Sequence, residues 1–307
     1  MSAVESHLEL VETPEEKYAN LSTYFDDRYN VAWCYMHASP RPCFTRAQLS
    51  ELYECFVDVK RHNTDPGQTP IEYFVLASDV PGVYSLGGDL DLFKRLIVTR
   101  NRDDLFDYAK ACIDALYLKM TGFDCDVTHV TLVQGDALGG GFECALAGDV
   151  LIAEKGSKFG LPEIMFNLFP GMGAYSILSR KLNPAEAKRI ILSGRLYSAE
   201  EMHEMGVVDV LAEEFQGEMA VYDYMRRESR SANGIRGLRK AMAAVDPVSH
   251  QELMEIAEVW VESALKLGKR DLRMMERLVA RQHTKSGGIT PGGISQADIA
   301  APELAAL

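Results

Sequence analysis

The stretch GDALGGGFECALAGDVLIAE, residues 135–154, decides the fold class. A β-rich run at 127–134 leads into it, and its three consecutive glycines begin a helix that we expect to end near residue 148. Residues 149–154 then read as a short strand. Strands that alternate with helices in this way are typical of α/β proteins.

A second segment upstream repeats this order of features. A predicted strand at 72–78 is followed by PGVYSLGGDL, residues 81–90, which contains Gly87 and Gly88. The first amides of a helix have no partner within it, and glycine lets another group approach them closely. Two such loops facing each other would present two amides to one oxygen, which predicts an oxyanion hole. A single glycine loop by itself is better explained by close packing of a helix on a strand, and GGG lacks the GxGxxG spacing of a dinucleotide site.

Two acidic residues lie in unusually apolar surroundings. Glu143 follows the glycine run in the first turn of the predicted helix, and Glu163 lies within SKFGLPEIMFNLFPGMG, residues 157–173. Burial raises the pKa of a carboxyl group toward neutrality, where it can both donate and accept a proton. The alternatives are that Glu143 only interacts with the helix dipole and that Glu163 lies exposed on a turn.

The rest of the chain predicts an α/β core followed by helices. Helices are expected at 46–61 and 104–120, after the N-caps Asn183 and Ser198, and over most of 247–282. The predicted organisation is an N-terminal arm at 1–25, a core that holds the active site at 26–215, a helical C-terminal region at 216–285, and a flexible tail at 286–307.

Composition excludes several classes of function. The chain has 307 residues, 47% of them hydrophobic, and a formal net charge of -13, which argues against a nucleic-acid or anionic-membrane surface. The six cysteines show no CxxC spacing, so we expect reduced thiols in a cytoplasmic protein. The N-terminus does not look like a secretory signal, and no apolar run is long enough to span a membrane. No metal, nucleotide or redox cofactor is indicated.

Four segments together resemble the crotonase (enoyl-CoA hydratase/isomerase) superfamily in their order and spacing. They are YSLGGDL (84–90), residues 135–154, FGLPEIMFNLFPGMG (159–173) and LSGRLYSAEEMHEMGVVDVL (192–211). The resemblance implies a crotonase fold, which is an α/β fold with a ββα-type superhelical core, here with a helical C-terminal region. It also implies that the amides of Gly88 and Gly140 form the oxyanion hole and that Glu143 and Glu163 are the catalytic acids.

Within this superfamily, AWCYMHASPRPCFT (32–45) and VLASDVPGVYSLGGDLDLF (75–93) most resemble diffusible signal factor synthases. The resemblance implies a dehydratase and thioesterase that acts on 3-hydroxyacyl-acyl carrier protein and releases a cis-2-unsaturated fatty acid, a quorum-sensing signal. Our hypothesis is that Glu163 removes the α-proton, and that Glu143 protonates the leaving hydroxyl and then holds water. The alternatives are an enoyl-CoA hydratase or isomerase acting on CoA thioesters, and a regulatory binding protein without catalysis.

The same reasoning predicts substrate contacts and partners. The expected substrate-binding residues are Leu86, Gly87, Leu138, Gly139, Met172 and Trp260, with Met165, Phe166 and Leu168 as further candidates for the acyl pocket. The basic run 226–240 could bind an acidic carrier protein, or could be a solvated helix face. The resemblance further implies a homo-trimer or hexamer and binding to the receiver domain of a sensor kinase.

Overall fold

The computed structural model describes residues 17–37 and 40–285, so most of the predicted arm and the whole predicted tail lie outside the described residues. The strands of the described part are β1 (Leu21–Asp26), β2 (Val31–Met36), β3 (Tyr73–Ser78), β4 (Gly82–Ser85), β5 (Thr128–Val133), β6 (Gly135–Leu138), β7 (Val150–Glu154), β8 (Lys158–Gly160), β9 (Leu196–Ser198) and β10 (Val210–Ala212). The helices are α1 (Arg46–Thr64), α2 (Leu90–Val98), α3 (Arg102–Met120), α4 (Gly140–Leu146), α5 (Ala174–Lys181), α6 (Pro184–Ser193), α7 (Ala199–Glu204), α8 (Gly217–Glu228), α9 (Ala232–Val245), α10 (His250–Ala264) and α11 (Lys269–Lys285).

The strands form two sheets that the chain visits in turn. The six-stranded sheet has the order β1-β2-β3-β5-β7-β10, and the four-stranded sheet has the order β4-β6-β8-β9. Pairing is parallel except between β1 and β2 and between β8 and β9. Each pair β3–β4, β5–β6 and β7–β8 passes from the first sheet to the second before the next helical turn or helix. This repeat is the ββα-type superhelical core, so the predicted fold class is confirmed.

The largest hydrophobic cluster joins both sheets to the helices, and a second one lies between the six-stranded sheet and α8. Every residue of β5 is buried, as expected for a central parallel strand with both faces covered. Helix α10 packs on α3 and buries Leu253, Ala257, Trp260, Val261 and Ala264. No helix within the described ranges is long and apolar enough to cross a membrane.

Capping residues in the sequence predicted the starts of two helices correctly. The side chain of Asn183 accepts a hydrogen bond from the amide of Glu186, and Ser198 and Glu201 form a reciprocal capping box. One boundary differs from the prediction: strand β1 lies largely within the predicted arm, where its residues pair with β2 along their whole length. The segment 247–282, predicted to be mostly helical, consists of α10 and α11 joined by residues 265–268.

Candidate active site

The two glycine loops touch each other at their glycines. A Cβ atom added to Gly87 would lie 2.8 Å from the amide nitrogen of Gly140, and one added to Gly140 would lie 3.5 Å from the amide nitrogen of Gly88. Gly140 is the first residue of α4, so its amide has no acceptor within that helix. The structure therefore brings together the two residues predicted to form the oxyanion hole.

Backbone hydrogen bonds tie the first loop to the turn after β2. The amide of Leu86 donates to the carbonyl oxygen of Pro42 at 2.7 Å, and the amide of Phe44 donates to the carbonyl oxygen of Gly87 at 2.8 Å. The turn and the loop thus run side by side, with a β-bridge between Phe44 and Gly88.

Two side chains from elsewhere in the chain brace the same loop. Arg41 bonds the carboxylate of Asp89 at 2.8 Å and also contacts Asp91. The hydroxyl of Tyr108 donates to the carbonyl oxygen of Phe44 and accepts from the amide of Asp89 at 3.2 Å. The residue that follows Gly88 is therefore fixed from both sides.

The second loop is shaped by the absence of side chains. Gly139 has a φ of +53°, and a Cβ atom there would lie 2.6 Å from Oε1 of Glu163. A Cβ atom at Gly141 would lie 2.2 Å from the carbonyl oxygen of Ser85 in β4. Because these positions touch the carboxyl group of Glu163 and the backbone of a strand, each requires glycine.

Glu143 is fixed in the first turn of α4 with 1% of its surface exposed. Its Oε1 accepts hydrogen bonds from the amides of Met172 at 2.7 Å and Ala174 at 3.0 Å. Burial raises its pKa to about 7, although these two hydrogen bonds favour the charged form. Glu143 thus lies in the first turn, as the helix-dipole alternative requires, and its carboxylate is also buried and held by two backbone amides.

Glu163 lies on the short 3-10 helix Pro162–Phe166 and is buried, so the expectation of an exposed turn residue is wrong. Burial first, and next the charge of Glu143, raise the pKa of Glu163 to about 8. Its Oε2 is buried and has no hydrogen-bond partner among the residues that the structure describes. Because unpartnered buried oxygens are rare, this atom is suited to meet a polar group of a ligand.

The two carboxyl groups titrate as a pair, since the charge of Glu143 acts on Glu163. With pKa values of about 7 and about 8, the pair holds a single proton between these pH values. At neutral pH the site thus offers one general acid and one general base.

The side chains of Glu143 and Glu163 both line an apolar cavity. Its empty volume is about 860 Å³, including the open solvent at its mouth. Predicted residues that line it are Leu86, Gly88, Leu138, Gly139, Gly140, Glu143, Glu163, Phe166, Leu168, Met172 and Trp260. Its largely apolar lining suits an acyl chain.

The region from residue 40 to residue 270 matches the family model described as enoyl-CoA hydratase/isomerase. The chain belongs to this family. It is 35% identical over 161 residues to a protein of Mycobacterium leprae named as an enoyl-CoA hydratase, a match that covers 52% of this chain and 59% of that protein. It is 30% identical over 151 residues to the carnitinyl-CoA dehydratase of Salmonella paratyphi B, covering 49% and 52%. The matched part thus spans little more than half the length of these relatives.

Solved structures show the same fold. The enoyl-CoA hydratase from Bacillus halodurans superposes with a TM-score of 0.68 at 20% identity, covering 85% of this chain and all of that one. Pseudomonas aeruginosa DspI superposes with a TM-score of 0.64 at 24% identity, covering 77% of this chain and 92% of that one. At these identities the likeness establishes the crotonase fold alone.

Two residues that were predicted to contact the substrate do not line the cavity. Gly87 is not part of the lining, because it packs behind the loop against Gly140. Met165 points elsewhere and lies near Gly194, where an added Cβ atom would be 3.4 Å from its Cγ. Met165 is therefore corrected from a pocket residue to a packing residue.

Several lining residues were missed by reading the sequence. They are Leu90, Phe93, Tyr108, Ala109, Cys112, Pro162, Gly171 and Leu278. Phe93 stands against Gly88, where a Cβ atom would lie 2.6 Å from its Cζ, and its ring makes edge contacts with Tyr108 and Trp260. The helical spacing in α3 signals a buried face there, but it does not distinguish cavity from core.

The basic run 226–240 is only partly available as a docking patch. Four of its cations form ion pairs: Arg226 with Asp223, Arg236 with Glu72, Arg239 with Glu228 and Lys240 with Asp126. Arg239 also donates to Thr128 and Tyr224, so it belongs to the packed interior of this region. The alternative of a solvated helix face is wrong for Arg239.

Proposed function

We propose that this protein dehydrates a 3-hydroxyacyl thioester on acyl carrier protein and hydrolyses acyl thioesters, which releases a cis-2-unsaturated fatty acid. The observation that carries the proposal is the buried pair Glu143 and Glu163, which shares one proton near neutral pH at the wall of an apolar cavity. The neighbouring amides of Gly88 and Gly140 supply the oxyanion hole in this mechanism.

In the dehydration step, Glu163 takes the proton from C2 of the substrate. The electron pair moves onto the thioester oxygen, where the two glycine amides stabilise the enolate. The enolate then collapses, the C3–O bond breaks, and Glu143 protonates the departing hydroxyl to give water. One oxygen of Glu143 is already held by the amides of Met172 and Ala174, which leaves the other for the hydroxyl.

The resting proton distribution favours water activation. Burial and the charge of Glu143 raise the pKa of Glu163, whereas two backbone amides favour the charged form of Glu143, so Glu163 is the carboxyl group that holds the proton more often. In this state Glu143 can take a proton from water while the water attacks the thioester carbonyl. The oxyanion hole stabilises the tetrahedral intermediate, and Glu163 protonates the leaving thiolate. Dehydration starts from the minor state, with the proton on Glu143.

The resemblance of residues 32–45 and 75–93 to signal synthases supports the carrier-bound substrate and the cis product. Binding of a receiver domain and assembly as a trimer or hexamer belong to the same proposal. The second candidate is an enoyl-CoA hydratase that uses CoA thioesters, and the names of the Mycobacterium leprae and Salmonella relatives favour it.

The deciding experiment incubates the protein with 3-hydroxydodecanoyl thioester, on acyl carrier protein and on CoA in parallel. Mass spectrometry and chromatography identify any free acid and its double-bond geometry. We expect free cis-2-dodecenoic acid from the carrier substrate, lost in Glu143→Gln and Glu163→Gln but kept in Glu204→Gln, an exposed glutamate on α7. A reversible trans-2-enoyl-CoA without free acid would favour the hydratase instead. Turnover of neither thioester would favour the regulatory binding protein.

The roles of the two carboxyl groups are tested by isotope exchange. With substrate deuterated at C2, Glu143→Gln should still exchange deuterium with water, because Glu163 remains as the base. Glu163→Gln should lose the exchange. Exchange that survives in the Glu163 variant would reverse the assignment.

A further inference from the structure

Helix α11 carries an exposed stripe of cations on its outer face. The stripe consists of Lys269, Arg270, Arg273 and Arg277, all exposed. At 3.6 residues per turn these four positions fall within an arc of roughly 100°, on one side of the helix. Within the described ranges none of them forms an ion pair, whereas the neighbouring Glu276 is bonded to Lys94.

The inner face of the same helix belongs to the cavity. Met275 and Val279 are buried, and Leu278 lines the cavity. Because a helix with its side chains is about 10–12 Å across, the stripe lies within about that distance of the cavity wall. A partner bound to the stripe would therefore be held close to the acyl site.

The stripe is unfavourable for the helix itself. Lys269 and Arg270 are the first two residues of α11, where the positive end of the helix dipole disfavours cations. Lys269 and Arg273, and likewise Arg273 and Arg277, are four residues apart and repel each other. In a chain with a net charge of -13, four such cations that form no ion pair with any described residue favour an external anionic ligand.

We propose that this stripe docks the acidic surface of the acyl carrier protein that delivers the thioester. The inference rests on the proposed function, because it assigns the carrier to the same cavity. From Lys269 to Arg277 the stripe extends about 12 Å along the axis, which fits an acidic helix better than a single phosphate group. It replaces the run 226–240, whose cations are largely bonded within the protein.

The test reverses charge on the full-length protein. The variant is Lys269→Glu/Arg270→Glu/Arg273→Glu, in which acids at the start of α11 suit the helix dipole, so the fold should be kept. The matched control is Arg226→Glu/Arg227→Glu/Arg230→Glu on the exposed surface of α8 and the short turn after it. Affinity for holo-acyl carrier protein is measured by calorimetry, and kcat/KM is measured on carrier, CoA and pantetheine thioesters.

We expect the stripe variant to lose about tenfold or more in carrier affinity and in kcat/KM on the carrier substrate. The pantetheine and CoA thioesters should be processed as by the wild type, and the control should bind the carrier normally. Equal losses on CoA and carrier would instead assign the stripe to the CoA phosphates and overturn the carrier proposal. Unchanged carrier affinity, or an equal loss in the control, would also overturn it. Because binding is read without turnover, loss of carrier affinity in an enzyme that processes no thioester would support the stripe and reject the proposed function.

Discussion

The two glycine loops of the site face each other but are held in place by different means. The loop at Gly139–Gly141 is fixed by its own backbone, which packs directly on β4 and on Glu163. The loop at Leu86–Gly88 is fixed by side chains from distant positions, Arg41 and Tyr108, which bond its neighbours. The first arrangement allows no substitution at the glycines, whereas the second can be adjusted from outside the loop.

The largest effect should come from Gly141→Ala. Its Cβ atom would meet the carbonyl oxygen of Ser85 at 2.2 Å, and this atom belongs to a strand that cannot move alone. Overpacking of this kind costs about 1–3 kcal/mol, and the displaced α4 carries Glu143. We expect a lower midpoint of thermal unfolding and a loss of kcat of about 100-fold or more. Gly234→Ala on α9, where an added Cβ atom has open space, is the control and should leave both unchanged.

Gly88→Ala should be milder, because its obstacle is the ring of Phe93 and not backbone. We expect kcat to fall about tenfold, since the amide shifts while the ring turns aside. The smaller side chain in Gly88→Ala/Phe93→Leu should restore part of the activity, so kinetics of the single and double variants should show coupling. If Gly88→Ala lowers kcat as much as Gly141→Ala does and Phe93→Leu restores no activity, the obstacle at Gly88 is as rigid as the strand backbone at Gly141.

Tyr108→Phe tests the hydrogen bonds by which a distant side chain holds the loop Leu86–Gly88 in place. The ring still lines the cavity, but the hydroxyl that joins Phe44 and Asp89 is gone. Loss of one such hydrogen bond costs about 1 kcal/mol, so kcat should fall about fivefold while KM stays within about twofold. The matched control is Tyr84→Phe, a buried tyrosine outside the cavity lining whose hydroxyl faces Cys144. An equal fall of kcat in the control would make the effect a general one of buried tyrosines.

The smallest expected effect is that of Tyr108→Phe on the pH profile. Both titrating carboxyl groups lie beside the loop Gly139–Gly141, and Tyr108 holds the other loop. Wild-type kcat/KM should be greatest between pH 7 and pH 8. Below this range both acids are protonated and the base is lost; above it both are ionised and the acid is lost. Tyr108→Phe should lower this curve without moving either limb. A shifted limb would mean that the first loop also sets the protonation of the pair.

The sequence predicted those features that depend on neighbours along the chain. The caps at Asn183 and Ser198 are local hydrogen bonds, and Glu143 and Glu163 stand out against their own apolar flanks. Strands β4, β6 and β8 were missed because they have only three or four residues and include glycines. Such segments become strands through their pairing with one another, for which a single chain segment carries little signal.

Features that depend on distant residues were not predictable in the same way. Phe93 and Leu278 reach one cavity only because α2 and α11 pack together. The partners of Arg236 and Lys240 lie more than a hundred positions away, so charge pattern alone suggested a free basic surface. An ion pair between residues far apart in sequence is a property of the packed fold and has no local signature.

The far wall of the cavity comes from the end of the chain, through Trp260 and Leu278, whereas the carboxyl groups and glycine loops come from its middle. The codons for the catalytic groups and the codons for this wall are thus separated in the gene. Mutations confined to the codons of α10 and α11 can reshape one wall of the cavity while Glu143, Glu163 and both glycine loops stay unchanged. Related lineages can therefore diverge in the ligand that they accept and keep the same catalytic groups.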